Sequence, residues 1–220
     1  MDNFDIIQLE RRFNVMKKKI LSLIMVFVLL SGLAACSRRE LSQEEIFYPE
    51  KTNSNTAMLT EWKRDFSNIK ELYSNSDFVV YADVIGNPQN IDKGHGFTET
   101  KIKIKEVLKG EISQKEISVI EDGLVNADGT DYSIEGIPLL KKNMRVILFL
   151  FKNYEFYGEN QTKKFAYHVI APLPGKFIFD KDMKLHYFSE LLTDSSNLPV
   201  SDLEKYSGFT YEEFKKELSK

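Results

Sequence analysis

The 220 residues predict a mostly β (α+β) fold, a small antiparallel barrel or sandwich with one helix in front and helices behind. Three observations carry this. About seven short runs between residues 78 and 188 are rich in Val, Ile, Phe and Tyr, and Gly, Pro, Asn or Asp bound them. Helical spacing of apolar residues occurs only before and after that stretch. The links between runs lack helical patterning, which favours antiparallel neighbours over parallel crossovers.

In chain order, Trp62, Phe66, Ile69 and Tyr73 fall on one helical face, and that helix should stop near Asn75-Ser76. Phe78–Ile85 (FVVYADVI) reads as a strand. Asn87–Gly96 reads as a loop. Lys101–Lys105 (KIKIK) alternates strictly, so Ile102 and Ile104 face inward and the lysines outward. Glu106-Val107-Leu108 breaks that alternation, which predicts a bulge before Lys109-Gly110. Ile117–Ile120 is a further strand. Glu121–Lys142 is a long connection with a turn at Asn126–Gly129. Val146–Phe151 (VILFLF) is apolar throughout, as expected of a central buried strand. Phe165–Ile170 is a strand, and Gly175–Asp180 with Met183–Phe188 forms a hairpin. At the end, Thr210 and Glu213 make a capping box, with Phe209 placed to staple onto Phe214, and Ser201 with Glu204 starts a shorter helix before it.

The N-terminus carries an address. Met16-Lys17-Lys18-Lys19 is basic, Ile20–Gly32 is uncharged, and Leu33-Ala34-Ala35 precedes Cys36, the sole cysteine. That order reads as a secretory signal peptide over residues 16–35. The motif LAAC resembles the lipobox of bacterial lipoproteins. The resemblance implies recognition of Leu33, Ala34 and Ala35 by a dedicated peptidase, cleavage before Cys36, and a diacylglyceryl group on Cys36. The run Ile20–Ala35 has 16 residues, fewer than the roughly 18–20 of a spanning helix. Residues 1–15 carry Asp2, Asp5 and Glu10 where such a segment should be basic. They read as a start assigned upstream of Met16, or as a long n-region. Residues 36–57 are polar and read as a lipid-anchored flexible tether, and 58–220 as one globular domain.

Five of the 30 Lys/Arg and three of the 33 Asp/Glu lie in residues 1–35. The remaining chain therefore has 25 basic and 30 acidic residues, a net charge of −5. That balance, with the export signal, argues against nucleic acid as a partner. With Cys36 acylated, no thiol is left for a disulfide or a Cys-based metal site.

The run "SDFVVYADVI … KIKIKEVLKG … ISVIE … LLKKNMRVILFLF", over residues 76–151, resembles OB-like barrels of the netrin and metalloproteinase-inhibitor group. The resemblance implies an OB-like fold. That group's disulfide cysteines are missing here. Its inhibitors chelate a protease zinc through a free N-terminal cysteine, whereas Cys36 would be acylated, so a protease-inhibitor-like activity is the weakest reading.

No catalytic constellation stands out. The lysine face (Lys101, Lys103, Lys105, with Lys109 near it) could meet an anionic wall polymer or lipid headgroups, or serve as an ordinary solvated strand face. Tyr154 and Tyr157 lie in an expected loop (KNYEFYGEN) and could stack on a sugar or a partner, or pack internally. His168 and His186 could share a site if their strands are neighbours, although His95, His168 and His186 lack metal-ligand spacing. Asp180-Lys181-Asp182 and Asn126–Asp131 are fragments of calcium loops that turn chemistry explains as well. Glu99, Glu121 and Asp131 are the acids a glycan hydrolase could pair. No metal or cofactor is expected. The sequence thus points to an exported, lipid-anchored envelope protein on the extracytoplasmic face of the cell membrane, or of an outer membrane. Its expected role is a non-enzymatic binding module for an envelope protein or wall polymer, with an envelope glycan hydrolase as the alternative.

Overall fold

The computed structural model describes residues 40–49, 66, 68–92, 96–133, 137–157, 162–170, 175–188 and 202–220. Its organising strand is β1, Phe78–Val84, whose central and C-terminal residues are all buried. Six consecutive buried positions mean that both faces of the strand are covered. The strands that cover β1 in the sheet are β3 (Phe97–Lys109) and β6 (Arg145–Tyr157), both antiparallel to it. Beyond β3 comes β4 (Glu116–Val125), then β7 (Thr162–Val169), which returns to β6. The order β1-β3-β4-β7-β6 closes on β1, with β4 and β7 the parallel pair and every other pair antiparallel. The fold is a closed five-stranded, OB-like barrel, mostly β with two helices.

The other strands decorate this ring. β2 (Gln89–Asp92) pairs with the overhang of β3, and β5 (Asp131–Ser133) pairs with β4. β8 (Lys176–Phe179) joins β6, and β9 (Leu185–Tyr187) joins β8. Neither β2 nor β5 was legible in sequence. Both are short polar edge strands that rely on a long neighbour for pairing, so no apolar period marks them. β4 also runs on through Val125 into what reads as a connection, and the Asn126–Gly129 turn then reverses it into β5.

The break in alternation at Glu106 is a real irregularity. Pairing of β1 with β3 skips Lys105 and Leu108, so β3 bends twice along its length. Gly110 ends β3 at φ 79°, and a Cβ there would lie 2.5 Å from the Phe78 ring. Only glycine fits that turn.

Two apolar layers result. The inner face of the ring holds Val80, Ala82, Val84, Ile102, Ile117, Val146 and Leu148. The outer face of β1, β6 and β8 is covered by the C-terminal helix α2 (Tyr211–Leu218): Tyr211 stacks on Tyr81 at 4.2 Å and Phe214 meets Phe177 at 5.0 Å. The Thr210–Glu213 capping box forms as expected. Tyr206 contacts both Phe209 and Phe214, and so bridges the expected staple. The N-terminal helix α1 is described over Ile69–Asn75, with Asn68 as N-cap and Ser76 as C-cap. Trp62 and Ser201 lie outside the described residues.

Residues 41–49, which polar composition assigns to the tether, pack on the barrel. Ile46 is 2% exposed, the Phe47 amide donates to the Asn143 carbonyl at 2.9 Å, and Tyr48 meets His186 edge-on at 5.2 Å. Three apolar residues without a period give no sequence signal, yet each finds a partner.

Candidate functional site

The outer face of β3 and β4 is where Lys101 and Lys103 of the expected binding residues fall. Along β3, Thr98, Thr100 and Ile102 are fully buried, while Glu99 and Lys103 are half-buried and Lys101 is exposed. Strand alternation therefore puts Lys101 and Lys103 outside, as the KIKIK pattern predicts. The register sets Lys101 opposite Ser118, and Lys103 between Asp83 of β1 and Glu116 of β4. Lys105 sits at the bulge, and its Nζ lies 3.8 Å from Asp83 Oδ2. The lysine face is thus interleaved with carboxylates, and Lys101 is its most exposed member. Lys109 serves another purpose. Its ammonium donates to the carbonyls of Tyr73 and Ser74 at the end of α1 and sits 4.9 Å from the Tyr73 ring. Burial there holds its pKa below the usual lysine range.

Two buried ion pairs flank this face, and sequence reasoning missed both as pairs. Asp83 accepts from Arg145 Nε at 2.6 Å and Nη2 at 3.1 Å, a two-pronged contact with both side chains almost fully covered. The same Nη2 donates to the Leu41 carbonyl at 2.9 Å. Inside the ring, Lys176 Nζ donates to Glu121 Oε1 and to the Pro138 carbonyl, each at 2.8 Å. Glu121 Oε2 accepts from the Leu140 amide at 3.0 Å, and the Lys176 ammonium lies 4.6 Å from the Phe188 ring. One signal was available: Glu121 falls on the inward parity after Ile117 and Val119. Lys176, between a Pro-Gly turn and an apolar run, gave none.

Two of the three acids considered for glycan chemistry, Glu121 and Asp131, have structural partners. Glu121 is held by Lys176. Asp131 accepts from the Leu139 amide at 3.2 Å, and Lys141 Nζ lies 3.2 Å from the same Oδ2. Glu99 lies between Gln89 of β2 and Ile120 of β4 in register. The histidines are not brought together, because β7 and β9 are separated by β6 and β8. His186 Nε2 instead lies 2.9 Å from Asp180 Oδ2. His168 packs among Phe97 and Phe151, and His95 is outside the described residues.

Both calcium-loop fragments are turns closed by their own carboxylates. Asp128 accepts from the Thr130 amide and hydroxyl, and that bonding keeps its pKa below the usual range. Asp180 accepts from the amides of Asp182 and Lys184. Among the described residues no group of three or more His, Cys, Asp or Glu could hold a metal ion.

Tyr154 and Tyr157 are not in a loop. They belong to the C-terminal half of β6, opposite Phe165 and Thr162 of β7. The segment KNYEFYGEN misleads because strand residues alternate there with polar ones next to Gly158. Leu33, Ala34, Ala35 and Cys36 lie outside the described residues, and no helix among those described is long and apolar enough to cross a membrane. Compared with known proteins, the chain matches no family model and no curated sequence, so its own residues carry the functional argument.

Proposed function

We propose that the chain is an exported lipoprotein, anchored by a diacylglyceryl group on Cys36 to the extracytoplasmic face of the cell membrane, or to an outer membrane where the host has one. There it acts as a non-enzymatic binding module. The observation that carries the anchor is LAAC at the end of a 16-residue apolar run with a lysine flank. Two acyl chains hold a protein stably where one does not.

For the binding role, the support is the outer β3–β4 face of an OB-like barrel. In this architecture the face of the second and third ring strands is a common ligand platform. Here that face presents Lys101 and Lys103 beside half-buried Phe97. It suits an envelope protein or an anionic wall polymer. The hydrolase reading is disfavoured because Glu121 and Asp131 are each bound by a lysine.

The test uses a photo-crosslinking amino acid at Lys101 in living cells, with the exposed Lys216 of α2 as control, followed by mass spectrometry of the membrane-extracted protein. An acylated Cys36 at the N-terminus and a partner captured from Lys101 but not from Lys216 are expected. Equal capture from both positions would remove the binding face. An intact N-terminal peptide with unmodified Cys36 would remove the anchor.

A further inference from the structure

The segment next to the anchor is docked. Leu41, Ile46, Phe47 and Tyr48 each contact the barrel at the end formed by the start of β6, the 141–143 loop and the β8–β9 turn. Arg145 ties these parts together, donating to the Leu41 carbonyl and meeting Met183 Sδ at 3.5 Å. Only residues 37–40 separate Cys36 from Leu41. Five Cα steps reach at most about 18 Å. A 20-residue tether would let the domain wander and tumble, and five steps do not.

A second observation lies at the same end. Phe47 is 40% exposed, the one large apolar side chain that is exposed among the described residues. Its amide is fixed to Asn143, beside exposed Lys142.

We infer that this end of the barrel is a lipid-facing surface: residues 41–47, the 141–143 loop and the 180–183 turn rest on the bilayer, with Phe47 at its interface. The inference rests on Cys36 being acylated. The exposed charges of residues 40–47 and the two turns are of both signs, Glu40, Glu44, Glu45 and Asp182 against Lys142 and Lys181. Attachment is therefore carried by the acyl chains and the aromatic ring, and it does not require anionic lipid. The opposite end, where Phe78, Gly110 and Lys152 lie, points away from the membrane. Lys152 is seven residues up β6 from Arg145, about 23 Å along the strand.

The mature chain has no other cysteine, so single labels are clean. Nitroxides are placed on the acylated full-length protein as Lys142→Cys and Lys152→Cys, in phosphatidylcholine vesicles carrying a nickel-chelating lipid. Relaxation at 142 is expected to exceed that at 152 by about threefold or more, since Lys152 lies some 23 Å along β6 beyond Arg145. Inserting 12 Gly/Ser residues between Glu40 and Leu41 leaves the barrel contacts intact and should narrow the difference to what Phe47 alone holds. Equal relaxation without the insertion, or stronger relaxation at 152, would overturn the inference. Mass spectrometry of Cys36 is read first. An unacylated cysteine sinks the lipoprotein reading itself, while an acylated one with equal relaxation sinks only the docked orientation.

Discussion

Replacing Lys176 by Met removes a cation from the inside of a closed barrel and leaves its anion there. The Lys176 and Glu121 side chains are 2% and 3% exposed, so water cannot replace the lost partner without opening the ring. Removing one member of such a pair costs about 3–5 kcal/mol, mostly because the other charge stays buried. The Pro138 carbonyl also loses its donor, which adds about 1 kcal/mol. At 2–4 °C per kcal/mol for a chain of this size, the midpoint of thermal unfolding should fall by roughly 8–24 °C. The assay is calorimetry or circular dichroism of the detergent-extracted protein. The double variant Glu121→Leu/Lys176→Met should recover part of the loss, since an apolar pair relieves the charge but leaves the Leu140 amide and Pro138 carbonyl unpaired. A single variant within about 1 kcal/mol of wild type would refute the reasoning, because it would mean the pair is solvated.

Other expectations follow from the same contacts. Glu106 accepts from the Tyr211 hydroxyl at 2.6 Å and from the Lys215 ammonium, and the Lys215 bond, then the Tyr211 bond, lower its pKa. A carboxylate depressed in the folded state stabilises fully above its unfolded pKa, near 4.3, and that contribution vanishes as pH falls through the folded value. Denaturation curves of Glu106→Gln and wild type should therefore differ at pH 7 and converge in acid, and a gap that is constant with pH would contradict this. Gly110→Ala forces a Cβ against Phe78 and the Asp77 carbonyl at a positive φ, and should cost about 2 kcal/mol in the same assay. Cys36→Ala should accumulate as an unacylated, uncleaved precursor, seen as a larger mass without fatty-acid label.

Much of the barrel was legible because its central strands obey simple periods. VILFLF and FVVYADV are buried on both faces, and KIKIK alternates. The bulge, the β8–β9 hairpin and the Thr210 cap were readable because local rules set them. What escaped depends on tertiary partners. β2 and β5 exist by pairing with an overhanging neighbour, and Tyr154 and Tyr157 extend β6 because β7 lies beside them. The docking of residues 41–49 hangs on Arg145, over a hundred residues away in the chain. The candidate site was half readable: the outward lysines followed from parity, but the Asp83 and Glu116 neighbours that dilute their charge come from register alone.

Ring closure also shapes how the molecule can form. Asp83 and Arg145 are 62 residues apart, and β1 has no antiparallel neighbour on that side until β6 exists. The last ring strand, β7, must then slip in parallel to β4 and antiparallel to β6 at once. Pairings this distant bring the loop-closure cost early and the reward late, which places the domain among slow folders. A chain held open that long stays threadable for most of its synthesis. Every fragment ending before residue 169 exposes two unfinished sheet edges, which makes premature truncation an aggregation hazard as well as a loss of the protein.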